Sequence, residues 1–184
     1  MPHENHMQVA LEEFVRNKKL ADRALTQVTG EHFCALLDGG NNSIAIIVKH
    51  MAGNMRSRWQ DFLTSDGEKP DRNRDAEFEL DENDTREALM AAWESGWSCL
   101  FDAVEPLDDT DLDTLVSIRG EKLTVLQAVD RQLTHYAYHI GQLVMLAKHF
   151  AGDNWASLSV PKGKSKEFNA NPAPYLGEKS GGSK

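Results

Sequence analysis

"VLQAVDRQLTHYAYHIGQLVMLAKHF", residues 125–150, is the stretch on which the fold turns. Leu126, Val129, Leu133, Ala137, Ile140, Val144 and Ala147 recur at three- and four-residue steps and form one apolar stripe of a helix over about 124–150. Val125, Ala128, Tyr136, Leu143, Leu146 and Phe150 form a second stripe, and His135 and His139 lie within it. Such a helix is apolar over more than half its circumference, so it reads as buried on two sides. The small side chains of Ala137 and Ala147 mark points where a neighbouring helix can approach closely. One broad stripe suffices inside a bundle. The extra one calls for cover, either by the tail around Trp155–Phe168 or by a second copy of the chain, and a homodimer is the expected assembly.

Three more helices are legible outward from this one. Residues 7–28 carry Leu11, Phe14, Ala21, Leu25 and Val28 at helical steps. Residues 43–64 carry Ile44, Val48, Met51, Met55, Trp59 and Phe62, with Asn42 or Ser43 as the cap. A third helix runs to about Glu105 with Leu89, Trp93, Trp97, Leu100 and Val104 on one side; Asp84 and Glu87 have the spacing of a capping box, and Pro106 ends it. Between the second and third helices lies a polar loop at 65–84, "SDGEKPDRNRDAEFELDEND", and a loop that long in a compact domain is often functional. "TLVSIRGEKLT" at 114–124 reads as a small hairpin or a plain loop. The tail from Gly152 is irregular, with its first half packed on the helices and "GEKSGGSK" frayed. The expectation is one all-α domain over 1–184, an antiparallel four-helix bundle with an irregular C-terminal tail.

With 184 residues the chain is long enough for one well-filled core. Its net charge of −9 argues against general binding to nucleic acid or to anionic membranes. The longest apolar run, "IAIIV" at 44–48, is too short to span a bilayer. Cys34 and Cys99, with no secretory signal ahead of them, read as reduced and small buried residues of a cytoplasmic protein.

His135 and His139 are one helical turn apart, about 40° on the wheel, which lets two imidazoles of one helix reach a single ion. Alone, this spacing is common and usually means nothing. Inside a buried stripe each imidazole needs a partner, at a cost of about 1–3 kcal/mol if it has none. A metal ion, a hydrogen-bond network or a water-lined cleft would each answer that need. A third ligand should come from another helix, and His50 is the candidate. It shares a polar line with Asn54, Ser57 and Asp61, which reads as a cleft wall or as a solvated face. His3 and His6 read as mobile, His32 as structural and His149 as a residue near a helix C-terminus. Arg56, Arg58 and "RNRD" at 72–75 read first as surface ion pairs and second as a site for an anionic substrate.

One His early in the second helix, followed in the fourth by H-x-x-x-H and Ile-Gly-Gln, resembles the DinB/YfiT-like superfamily of metalloenzymes and, more closely, a bacterial family of unknown function within it. The stretches that carry the resemblance are "KHMAGNMRSRWQDFLTSDGEKPDRNRDAEFE", "HYAYHIGQLVMLAKHF" and "WASLSVPKGKSKEFN", so it spans most of the chain. It implies an antiparallel bundle with a long crossover and a divalent metal ion held by His50, His135 and His139. Members with assigned activities include bacillithiol- or mycothiol-dependent S-transferases and a maleylpyruvate isomerase, and members often form dimers.

Three imidazoles leave coordination positions open for water or substrate, the arrangement of a catalytic site. An ion so held lowers the pKa of a bound water or thiol. Zn²⁺ suits all-nitrogen ligation; Ni²⁺, Fe²⁺ or Mn²⁺ also bind such donors. Asn54, Gln142 and Tyr136 are candidates for supporting the ligands or lining the site, whereas Tyr138 points elsewhere. Three functions follow as expectations: a metal-dependent transferase or hydrolase acting on a small molecule, with a low-molecular-weight thiol or thiol conjugate as the candidate substrate; a non-catalytic metal-binding or stress-related bundle; and a structural dimer whose site has decayed.

Overall fold

In the computed structural model of the chain, residues 6–40 and 42–172 are described; His3, Pro174 and the "GEKSGGSK" segment lie outside them. The described chain is mostly helical: α1 (His6–Leu25), α2 (Gly30–Phe33), α3 (Ile44–Trp59), α4 (Arg86–Val104), α5 (Val125–Ala151) and α6 (Ser165–Ala170). One two-stranded antiparallel sheet, β1 (Leu115–Ile118) with β2 (Glu121–Thr124), precedes α5. The four long helices close a ring of contacts around one core, α1 on α5, α5 on α3, α3 on α4 and α4 on α1. Phe14, Trp59, Trp93, Trp97 and Tyr136 fill that core with their side chains fully buried. Among the described residues no helix is long and apolar enough to cross a membrane.

Helix ends follow from local chemistry. Ser43 caps α3, its hydroxyl accepting from the Ile46 N–H. Thr124 and Gln127 form a reciprocal capping box at the start of α5. The cap of α4 is Thr85 rather than Asp84. The Asp84 carboxylate is engaged elsewhere, by Lys49 Nζ of α3 at 2.7 Å and by the Asp81 N–H at 2.8 Å. α3 also stops short of the expected residue 64, because Asp61 turns to a left-handed φ of 52° and starts the long loop. Residues 114–124 form the hairpin, not a plain loop. Its turn places Arg119 and Gly120 at φ 56° and 77°, the pair of positive values that a tight two-residue hairpin demands.

The buried face of α5 differs from the two-stripe expectation. A single broad face is covered, from Val125 through Val129, Gln132, Tyr136 and His139 to Leu143 and Leu146. Leu133, Val144 and Phe150 flank it half-buried, while Ala137 is exposed. Ala147 is buried, and Gly96 of α4 marks a close approach to α3. A Cβ at Gly96 would stand 3.0 Å from Met55 Cε and 3.3 Å from the backbone of Ala52 in α3. Trp155 and Leu158 of the tail pack against the core; Arg23 of α1 donates to the Leu158 carbonyl, and Gln27, just past α1, bonds both ways with Ala156. Cys34 is exposed rather than buried, since only Phe33 of the short α2 turns inward; Cys99 is half-buried.

Asp66 fastens the long loop to the hairpin. Its carboxylate accepts from the N–H groups of Glu68, Arg119 and Gly120, each at 2.8 Å, and from Ser117 Oγ at 2.7 Å. The Glu68 N–H, with the Gly120, Ser117 and Arg119 donors behind it, holds this carboxyl well below the usual range. Asp66→Ala removes those bonds and should cost about 1–2 kcal/mol, a fall of several degrees in unfolding temperature. Because the folded pKa is depressed, the stabilisation is complete above about pH 4 and disappears as pH falls through the folded value. Thermal scans of wild type and variant should therefore converge in strong acid; a constant gap at all pH values would contradict this role.

Candidate metal centre

The packing of α3 against α5 brings together the three histidines that lie far apart in sequence. The ring centroids are 4.9 Å (His50–His139), 5.6 Å (His50–His135) and 4.7 Å (His135–His139) apart. One nitrogen from each lies within 4.8 Å of the others, so the three can hold a metal ion. His50 and His139 are buried and His135 is half-buried.

Each imidazole is held from behind by an oxygen. His50 Nδ1 lies 2.8 Å from Glu77 Oε2, and His139 Nδ1 lies 2.9 Å from Gln142 Oε1. His135 Nδ1 faces Gln132 Oε1 at 3.4 Å. An oxygen acceptor there favours the tautomer with its proton on Nδ1, in which the Nε2 lone pair is available to a metal ion. His135 Nε2 and His139 Nε2 lie 3.0 Å apart. Burial, followed by the neighbouring His139 and His50 and by Arg58 and Arg131, pulls His135 down to about 4. Burial and His50 also lower His139. At neutral pH these two rings are uncharged donors, the form in which imidazole binds a metal.

The long loop delivers Glu77. This residue lies in the 3₁₀ turn Asp75–Phe78 and is buried against α3. Arg72 grips its carboxylate with two bonds, Nε to Oε1 at 2.7 Å and Nη2 to Oε2 at 2.9 Å. Burial opposes ionisation of Glu77, but the hydrogen bonds from His50 and Arg72 outweigh it and hold the carboxyl below its ordinary value. Arg72 also reaches Glu68, as do Arg58 and Arg119. Space for Glu77 comes from Gly53: a Cβ there would stand 2.5 Å from Glu77 Oε1 and 2.9 Å from its Cδ. Ser57 completes the seam, donating to the Gly67 carbonyl and accepting from the Lys69 N–H.

These contacts decide readings that the sequence left open. His50 and Asn54 are buried and line the cleft, Ser57 is buried against the long loop, and Asp61 lies beyond the helix and is exposed. Asn54 and Gln142 both line the cleft of about 470 Å³ that the three histidines face. Tyr136 does not line it. Its ring is in the core, and its hydroxyl accepts from Trp59 Nε1 at 3.0 Å and donates to Asn54 Oδ1 at 3.1 Å. Burial pushes the Tyr136 phenol well up. Tyr138 lines the cleft instead, accepting from Gln142 Nε2. Arg56 is a surface partner of Asp71, as expected, but Arg58 and Arg72 are buried in the ion network rather than on the surface. The other described histidines take no part: His6 bonds Asp130, His32 stacks on Phe150, and His149 is exposed.

Sequence reasoning missed Glu77, Gln132 and Gly53. Two of them carry a readable signal. Gln132 precedes His135 by three residues as Gln142 follows His139 by three, a symmetric "QLTHYAYHIGQ". Gly53 is a costly residue for a helix interior and so implies a close neighbour. Glu77, one acid among many in its loop, carries none. A second cleft, near Cys99 at the other end of α3, is remote from the histidines, and burial raises the Cys99 thiol.

The model of the family described as "Protein of unknown function (DUF1572)" matches residues 3–164, and the chain belongs to that family. No curated protein and no solved structure matches it.

Glu77→Gln and Gly53→Ala should each weaken Zn²⁺ or Ni²⁺ binding by roughly 10–100-fold, the usual consequence of disturbing a ligand's outer partner. Competition with a chromophoric chelator measures this. Unchanged affinity in both variants would show that the Glu77 contact serves folding alone.

Proposed function

We propose that the chain is a divalent-metal-dependent enzyme with the DinB/YfiT-like antiparallel four-helix bundle, acting on a small molecule as a transferase or hydrolase. The observation that carries this reading is the grouping of three imidazoles whose Nδ1 atoms are engaged by Glu77, Gln132 and Gln142 and which each bring one ring nitrogen within 4.8 Å of the others. An all-nitrogen donor set of this kind suits Zn²⁺ best and accepts Ni²⁺, Fe²⁺ or Mn²⁺. When bound, such an ion supplies Lewis acidity to a coordinated oxygen or sulfur, which suits a thiol or thiol-conjugate substrate.

The chain's own residues do the rest. Glu77, fixed by Arg72, makes His50 a stronger donor and keeps its ring in place. Gln142 orients His139 and couples it to Tyr138 at the cleft wall, where the phenol hydroxyl can donate to a substrate atom. Asn54 holds the inner wall through Tyr136. The network positions the three imidazoles.

A second reading, a non-catalytic metal-binding bundle acting as a dimer, is favoured by two observations. Among the described residues no carboxylate lines the cleft to serve as a proton acceptor. Tyr138 and Met145 also leave an exposed apolar edge on α5.

Protein purified without a histidine tag or chelator should show stoichiometric metal by X-ray fluorescence at the metal edges, and His135→Ala should lose it. Wild-type protein that takes up no metal on addition of excess Zn²⁺, Ni²⁺, Fe²⁺ or Mn²⁺ would defeat the proposal. Turnover of a thiol conjugate by the loaded protein, lost in His135→Ala, separates the enzyme from the non-catalytic bundle.

A further inference from the structure

The cleft in front of the histidines is cationic in a protein whose net charge is −9. Five arginines line it: Arg58, Arg72, Arg74, Arg119 and Arg131. Behind them Glu77 pairs with Arg72, and Glu68 is shared by Arg58, Arg72 and Arg119. Two carboxylates therefore face five guanidinium groups, and among the described residues no carboxylate lines the cleft itself.

The imbalance is concentrated on two residues. Arg131 precedes His135 by one helical turn, so it lies in the same line of α5 as the two histidines, and it has no hydrogen-bond or ion-pair partner among the described residues. Arg74 lies across the cleft on the long loop. Its guanidinium sits 5.0 Å over the Phe78 ring, and that ring lies 4.8 Å from His50. Stacking on Phe78 positions the group but does not neutralise it. Arg58 adds to the imbalance from beneath: it is buried, and its Nε has no partner. Burial, together with the charge of Arg72, weakens its hold on its proton despite the bond to Glu68. Positive charge crowded into a recess is stabilised by an anion, and paired guanidinium forks match carboxylate and phosphate oxygens.

We infer that the cleft binds a small ligand through a carboxylate or phosphate group held between Arg131 and Arg74, with the remainder of the ligand directed at the three histidines. Only the placing of that remainder rests on the metal-site reading; the oxyanion pocket stands on the arginines. The anion subsite thus selects acidic small molecules and excludes neutral or cationic ones of the same size.

Calorimetry at fixed ionic strength tests this with two probes, inorganic phosphate and succinate, on metal-free and metal-loaded wild-type protein and on Arg131→Gln and Arg74→Gln. At least one probe should bind both wild-type forms. Each substitution should raise its Kd by roughly tenfold or more, as expected for loss of a charge-assisted contact. Metal content, measured on the same samples, should not change. Both variants expose their side chains and carry no ion pair, so loss of fold is not expected, and thermal scans check it. Equal affinity in wild type and both variants, or no binding of either probe to wild type, overturns the inference. A protein that takes no metal yet binds the probe through Arg131 and Arg74 refutes the metal centre and leaves the oxyanion pocket standing. Preference between the two probes identifies the acidic group.

Discussion

Glu77 is a carboxylate buried beside a helix, and a buried charge must be paired or it costs several kcal/mol. Much of the site's construction follows from that demand. Arg72 answers it with a two-pronged grip, and Arg72, itself buried, draws in Glu68. Glu68 in turn takes Arg58 from α3 and Arg119 from the hairpin. The long loop is thereby welded to the helices, and its one acid facing His50 cannot drift. Gly53 is the steric counterpart, since any side chain there would occupy the space of the Glu77 carboxyl. The hairpin belongs to the same assembly through Asp66, which gathers three N–H groups and a hydroxyl.

The two sides of the centre are built differently. On α5 the supporting groups are neutral amides on the same helix, placed by helical geometry alone: Gln132 behind His135 and Gln142 behind His139. On α3 the support is ionic and comes from a loop 27 residues away in sequence. The carboxylate behind His50 and the amides behind His135 and His139 each hold a ring in its orientation. The ring of arginines opposite supplies positive charge to the cavity in front of the three rings.

Tyr136 and Tyr138 show where periodicity stops informing. Taking about 100° per residue, both lie about 80° from the midpoint of the histidine pair, on opposite sides. Helical angle alone therefore gives them equal claim to the cleft. The apolar stripe shared by Tyr136 and the histidines suggested Tyr136, but that stripe is the core face, and the ring ends among Phe14, Trp59 and Trp97. Asp84 is a similar case: its spacing to Glu87 fits a capping box, yet Lys49 from another helix competes for its carboxylate, and Thr85 takes the cap. Ala137, small and in a stripe, is exposed, because among the described residues the buried face of α5 ends before it.

By itself the sequence determined what local periodicity and short-range chemistry can carry. The four long helices, the aromatic core residues and a cap for α3 at Asn42 or Ser43 all follow from spacings within one or two turns. The same holds for the joint presentation of His135 and His139, and for the prospect that His50 joins them. Tertiary structure decided what depends on groups that meet across the chain. It chose Glu77 from a run of equivalent acids, turned Arg58 and Arg72 from surface charges into a buried network, and put Tyr138 rather than Tyr136 at the cleft. The reason is physical. A helix's period specifies directions around its own axis, while the partner that neutralises a charge or covers a ring is set by which elements pack against it.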